Sequence, residues 1–153
     1  MHAIADAVNP LLALTAIVVI ALDVRATRWR GVLTSALPTA LGVGSIYVVW
    51  YADRQLLLWQ RYQADYSTHT AFATTLTLSL LILRPAWRVP LLAVWAGYLA
   101  LIVILRYHTL ADVAIAALVA IIVTLPWHLA ARRLHVSGNV PPARDTRPRR
   151  GGR

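Results

Sequence analysis

The chain has 153 residues, a length that corresponds to one domain. Hydrophobic residues make up 59% of it and charged residues 14%, and the mean hydropathy is +0.61. A soluble domain has about 45–50% apolar and about 25% charged residues, so the composition argues against a soluble protein. The net charge of +9 comes from fifteen Arg and six Asp without any Lys or Glu, and the absence of Cys excludes disulfides and thiolate metal sites.

Five apolar runs predict five membrane-spanning helices. A bilayer core about 30 Å thick needs about 20 apolar residues in a helix, and none of the runs alternates as a barrel strand would. The predicted spans are Ala3–Leu22, Val32–Ala52, the short His69–Leu83, Val89–Leu105 and Leu110–Trp127. Because the N-terminus has no basic n-region and no small-residue cleavage site, we expect a retained helix and not a signal peptide. Residues 1–135 are therefore expected to form an all-α, polytopic membrane helix bundle.

The distribution of Arg predicts the orientation of this bundle. With five spans, alternate connections share a side, and one side holds twelve of the fifteen Arg. The positive-inside rule places that side in the cytoplasm, with the N-terminus outside and the C-terminus inside. The bias toward Arg and Ala is typical of a GC-rich bacterial genome, which indicates a bacterial plasma (inner) membrane. Residues 136–153 are rich in Pro, Gly and Arg and are expected to form a disordered cytoplasmic tail that contacts anionic lipid and not nucleic acid.

Three Arg remain on the outer side, and they share it with Asp53, Asp65, His69, His108 and Asp112. The three Arg are Arg54, Arg61 and Arg106. Guanidinium groups bind phosphate oxygens, so the cluster predicts an anion site. Each Arg also has a simpler explanation as an interface residue whose stem packs on lipid.

The pair His108 and Asp112 predicts nucleophilic chemistry. Asp112 lies about one turn into the fifth span, where an ionisable group is costly and usually functional. If both residues are on one helix, the spacing of four stacks their side chains on one face. A carboxylate that accepts one imidazole N–H fixes the tautomer and makes the other ring nitrogen more basic. A helix-stabilising contact is the alternative explanation.

A second polar cluster precedes the third span. Ser67 and Thr68 are good N-cap residues, and the first amides of the helix that follows would face an anion. His69 would stand at the edge of the same site. Together with the pair above, these residues predict a phosphate site in which one His attacks and the other donates a proton.

In these residues the chain resembles the type-2 phosphatidic acid phosphatase superfamily, also called lipid phosphate phosphatases. The stretch from His108 to Asp112 has the spacing of the third motif of that family, and the stretch from Ser67 to His69 is similar to the second. Arg54 and Arg61 have the spacing of the first motif. The Ser-Arg of the third motif is absent, since Leu101 and Ile102 occupy its positions, and Arg106 is expected to replace the missing Arg. The chain also resembles the sphingomyelin synthase branch, whose phosphatase motifs are degenerate.

The resemblance implies a lipid phosphatase that uses neither a metal nor another cofactor. Its substrate would be a lipid phosphomonoester or pyrophosphate, such as phosphatidic acid or a polyprenyl pyrophosphate, at the outer face of the bilayer. His108 would form a phosphohistidine, Asp112 would orient it, and His69 would act as acid and base. The phosphate would be bound by Arg54, Arg61, Arg106 and Ser67. Two alternatives stay open: a head-group transferase of the sphingolipid-synthase type, and a non-enzymatic membrane protein with pH-sensing histidines.

Overall fold

The computed structural model describes residues 2–59 and 65–137, and every long element in them is a helix. The helices are α1 (His2–Thr27), the single turn α2 (Trp29–Gly31), α3 (Leu37–Leu56), α4 (Thr68–Leu83), α5 (Arg88–Ile104) and α6 (Leu110–Ser137). A short π-helical segment, Val32–Ala36, joins α2 to α3, and the 3₁₀ turn Pro85–Trp87 precedes α5. These residues contain no strand, which confirms the predicted all-α fold.

Four helical segments are long and apolar enough to cross a membrane, so the chain is a membrane protein. They are Ala5–Thr27, Trp29–Leu56, Pro85–Ile104 and Leu110–Arg133. Helix α4 corresponds to the short third predicted span, and its 16 residues extend about 24 Å. Several helices continue beyond the predicted spans, because hydropathy marks the residues in hydrocarbon and not the end of the helix. Helix α6 thus reaches Ser137, and residues 138–153 of the predicted tail lie outside the described residues.

Helix α4 lies at the centre of the bundle and contacts α1, α3, α5 and α6. Its buried positions are mostly small or hydroxyl-bearing: Thr70, Ala71, Ala73, Thr74, Thr75, Leu76, Thr77, Ser79 and Leu80. Small side chains let neighbouring helices approach closely, and hydroxyl groups bond across the interface.

Three polar contacts join α4 to its neighbours inside the bundle. The hydroxyl oxygens of Thr75 and Thr124 lie 3.1 Å apart, and Ser79 Oγ lies 2.9 Å from His128 Nε2. On the other side, the indole N–H of a Trp in α5 donates to Thr74 Oγ1 at 3.0 Å. A hydrogen bond of this kind contributes about 0.6 kcal/mol in a membrane. The three contacts therefore fix the register of the helices more than they add stability.

Contacts at the two ends of the bundle show which connections share a side. At one end Arg84 Nη2 lies 2.6 Å from Asp23 Oδ1, and Arg132 Nη2 donates to the carbonyl of Ile82 at 3.3 Å. The Arg-rich ends of α1, α4 and α6 are therefore brought together, as the alternation of spans requires. The opposite end holds the N-termini of α4 and α6.

Candidate active site

Ser67 is the N-cap of α4, as the sequence predicts, and its side chain bonds Thr70. Ser67 Oγ accepts from the Thr70 amide at 3.3 Å and donates to Thr70 Oγ1 at 2.9 Å. Ser67 is fully buried, so its hydroxyl is used in the cap. His69 follows as the second residue of the helix and is exposed. Asn9 of α1 donates its side-chain N–H to the His69 carbonyl at 3.3 Å, which ties the two helices together beside the imidazole.

Tyr66 anchors the loop that leads into this cap. Its ring is buried and lies 5.4 Å from the ring of Trp59, centroid to centroid. Burial, and then the negative charge of Asp53, raise the pKa of Tyr66 to about 12. Tyr66 therefore stays neutral at physiological pH, and its buried ring anchors the loop.

A tight turn between α5 and α6 carries His108. Arg106 adopts a left-handed backbone conformation, with φ of 58°, and its amide donates to the Val103 carbonyl at 3.0 Å. The next amide, of Tyr107, reaches back to the Ile102 carbonyl at 3.1 Å. This conformation costs a non-Gly residue about 1–2 kcal/mol, which the bonds of the turn offset. The turn places His108 before α6, with its side chain 16% exposed.

Asp112 forms a capping box with Thr109 at the start of α6. Asp112 Oδ2 accepts from the Thr109 amide at 2.9 Å and from Thr109 Oγ1 at 2.7 Å, and the Asp112 amide donates back to Thr109 Oγ1 at 3.2 Å. The other carboxylate oxygen, Oδ1, accepts from the amide of Asp65 at 2.9 Å. Asp112 thereby connects the loop before α4 to the turn before α6.

The expectation that His108 and Asp112 stack on one helix is wrong, because α6 begins at Leu110. The ion-pair contact of His108 is made instead with Asp65, whose Oδ2 lies 3.9 Å from His108 Nδ1. The Asp65 side chain is 80% exposed.

His69 and His108 line the same cavity of about 130 Å³. The two residues lie far apart in the sequence, one at the start of α4 and one on the turn before α6. The remaining lining residues come from α1, α5 and the turn: Ala5, Asp6, Tyr98, Ile102 and Tyr107. Two imidazoles, a carboxylate and two phenol groups thus line one small cavity at the end of the bundle, beside apolar side chains.

Sequence reasoning missed Asp6, Tyr98 and Tyr107 at this cavity. A signal for Asp6 was present, because an ionisable residue in an apolar span is costly and usually functional. The two Tyr carried no comparable signal, since aromatic residues are common near membrane interfaces.

The predicted phosphate-binding Arg occupy different surroundings. The Arg54 guanidinium lies 5.1 Å from the centroid of the Trp50 ring, a cation–π contact typical of an interface residue. Arg61 lies outside the described residues. Helix α3, which carries Arg54, ends at Leu56, and Leu57 follows it in a left-handed conformation. Arg106 is exposed and adjoins the two lining residues of the turn.

No protein-family model, curated protein or solved structure matches this chain. Within residues 2–59 and 65–137, no three His, Cys, Asp or Glu side chains are grouped so that they could hold a metal ion. The function is therefore argued from the geometry of the cavity.

Proposed function

We propose that the protein is a membrane lipid phosphatase that hydrolyses a lipid phosphate through a phosphohistidine at His108. The observation that carries the proposal is that His69, at the start of α4, and His108, on the turn before α6, line one cavity. Displacement at phosphorus needs a nucleophile and a general acid that can reach one substrate, and a shared cavity allows this. The spacing of the motifs, which is similar to that of the lipid phosphate phosphatases, supports the same reaction.

In the first step, His108 Nε2 attacks phosphorus, because Nδ1 faces Asp65. The P–N bond forms as the P–O bond to the lipid breaks, and His69 donates a proton to the departing oxygen. In the second step a water gives a proton to His69 and attacks phosphorus, so the P–N bond breaks and phosphate leaves. Arg106, beside the nucleophile in the chain, stabilises the charge on the equatorial oxygens.

A groove between α5 and α6 supports a lipid as the substrate. It has a volume of about 640 Å³, and its lining includes Trp95, Leu99, Val103 and Val113. Ile104 and Leu110, which also line it, flank the turn that carries His108. A hydrocarbon chain in this groove would hold its phosphate at the end of the bundle where the cavity lies.

A release screen on purified protein tests the proposal. Phosphatidic acid, phosphatidylglycerol phosphate and a polyprenyl pyrophosphate are incubated with the protein in mixed micelles, and inorganic phosphate is measured. We expect release from at least one lipid. If the phosphate, with any group attached to it, is instead transferred to an added lipid alcohol, the protein is a transferase. If no lipid is converted, the protein is not a lipid phosphatase.

Exchange of Arg106 for Lys is expected to reduce turnover about tenfold or more. Arg binds phosphate oxygens through a planar fork, whereas Lys acts as a point charge. Both residues incur the same backbone cost at a left-handed position, so the variant tests the guanidinium itself. Initial rates on the active lipid are compared with those of Arg88→Lys, at the opposite end of the bundle.

Arg54→Lys separates a phosphate-binding role from an interface role. Its contact with Trp50 favours the interface role, for which Lys is adequate, so we expect nearly wild-type turnover. If Arg106→Lys also behaves as wild type, the phosphate is bound without an Arg fork at that position.

Chelation and vanadate test the chemistry of the cavity independently. The proposed mechanism uses only imidazole, carboxylate and guanidinium groups, so turnover is expected to survive EDTA. Vanadate adopts the five-coordinate geometry of the reacting phosphorus and is expected to inhibit, because a site built for the transition state binds such mimics tightly. Loss of turnover in EDTA that a divalent ion restores would contradict this.

We propose further that the cavity faces the outside of a bacterial plasma membrane. Support comes from the Arg-rich ends of α1, α4 and α6, which meet at the other end of the bundle. A reporter fused after Arg153 is expected to be active in the cytoplasm. Activity of that reporter outside the membrane would place the cavity in the cytosol.

A further inference from the structure

The carboxylate of Asp112 holds two loops together. One oxygen accepts two bonds from Thr109, and the other accepts the amide of Asp65. Asp112 is also buried, with 5% of its surface exposed, at the base of the turn. Through these partners the carboxylate ties the loop before α4 to the turn before α6, and it interacts electrostatically with His108 as well.

Asp65 is placed differently. Its backbone is held by Asp112, and its own carboxylate projects to within 3.9 Å of His108 Nδ1. Active-site hydrogen bonds are often long before substrate binds and tighten afterwards. A lipid headgroup over the cavity would exclude water from the exposed Asp65 carboxylate and strengthen its attraction to His108.

We infer that Asp65 is the carboxylate that orients His108, and that Asp112 is a positioning residue that acts through the Asp65 amide and the Thr109 turn. The assignment rests on the proposed function only in making His108 the nucleophile. Asp65 accepts the Nδ1–H of His108, which leaves the Nε2 lone pair free to attack phosphorus. When the P–N bond forms, the positive charge on the ring is stabilised by Asp65. No proton passes to the carboxylate.

The tautomer of His108 tests the contact without reference to turnover. Protein labelled with ¹⁵N at its histidines is studied by NMR in detergent micelles, and the His108 signals are assigned from their loss in His108→Gln. We expect the Nδ1–H form in the wild type at a pH where the ring is neutral. Asp65→Asn is expected to reduce that form, whereas Asp65→Glu should keep most of it. Asp23→Asn, which removes a carboxylate at the opposite end of the bundle, should leave it unchanged.

Kinetics and amide exchange separate the two Asp. Asp65→Asn is expected to lower kcat about tenfold or more with little change in KM, because it alters the orientation of the reacting His108 imidazole and not substrate binding. Exchange of the Thr109 amide should be unaffected. Asp112→Asn places an NH₂ group against at least one N–H donor, so it is expected to lower kcat together with faster exchange at Thr109. Thr109→Ser, which keeps the hydroxyl group of the capping box, serves as the matched control for the turn.

Two results would overturn the inference. One is an Asp65→Asn protein whose His108 tautomer and kcat are both those of the wild type. The other is an Asp112→Asn protein that loses the Nδ1–H form while Thr109 exchange stays slow, since Asp112 would then contact His108 itself. A wild-type protein that converts no lipid refutes the proposed function instead, and the tautomer measurement still decides the Asp65 contact.

Discussion

Replacement of His108 by Ala is expected to lower lipid phosphate turnover by at least about a hundredfold, because the reaction loses its nucleophile. His69→Ala should cause a loss of similar size for a different reason, since it removes the group that protonates the departing lipid oxygen. Both residues line the cavity, and neither has a side-chain hydrogen bond that closes the bundle. Both variants should therefore fold, which circular dichroism and the unfolding temperature in detergent would verify.

The two losses are distinguishable with an activated substrate. An aryl phosphate has a leaving group that departs without protonation, so it should restore much of the first step in His69→Ala and none of it in His108→Ala. Brief incubation with a radiolabelled lipid phosphate should label wild-type protein on histidine, and the label should be absent from His108→Ala. His128→Gln is the control, because His128 is buried within the bundle beside Ser79 and lies away from the cavity. Phosphate release by His108→Ala at near wild-type rates would contradict the mechanism.

Features with a local cause were predictable from the sequence. Hydropathy located the five apolar helices, because the cost of burying charge in hydrocarbon acts residue by residue. Ser67 was recognised as an N-cap, because a side-chain acceptor at a helix start satisfies a backbone donor without help from other elements. Recognition that His69 and His108 belong to one site came from motif spacing and from the alternation of the spans.

Features that depend on several loops at once could not be predicted. Helix α3 ends at Leu56 and α5 ends at Ile104. Leu57 and Arg106, just beyond these ends, are left-handed without the Gly or Asn that usually marks such a position. A local side-chain contact compensates at the first of these positions, because Asp53 Oδ1 accepts the Trp59 amide at 2.9 Å just beyond the end of α3. Helical spacing predicted His108 as the partner of Asp112. In the structure Asp112 instead forms a capping box with Thr109, and the Thr-x-x-Asp pattern of that box was readable in the sequence.

The close approach of α3 to α6 gives a second large expected effect. A Cβ added to Gly42 would lie 2.8 Å from Thr124 Cγ2 and 3.2 Å from Thr124 Oγ1, whereas a Cβ on Gly44 would meet nothing within 4 Å. Thr124 is fully buried and bonds Thr75 of α4, so it cannot move away freely. Gly42→Val is therefore expected to lower the free energy of unfolding by about 1–3 kcal/mol, the usual cost of overpacking a core.

Gly44→Val is the matched control, because it makes the same chemical change two residues along the same helix at an exposed position. Thermal unfolding in detergent should show a lower midpoint for Gly42→Val than for Gly44→Val, and equal midpoints would show that α3 and α6 do not meet here.

A second change that restores the lost stability gives a sharper test of the contact. Thr124→Ser removes the methyl group that a new Cβ would strike and keeps the hydroxyl that bonds Thr75. Gly42→Ala combined with Thr124→Ser should therefore be more stable than the sum of the two single changes predicts, and simple additivity would place the destabilisation elsewhere.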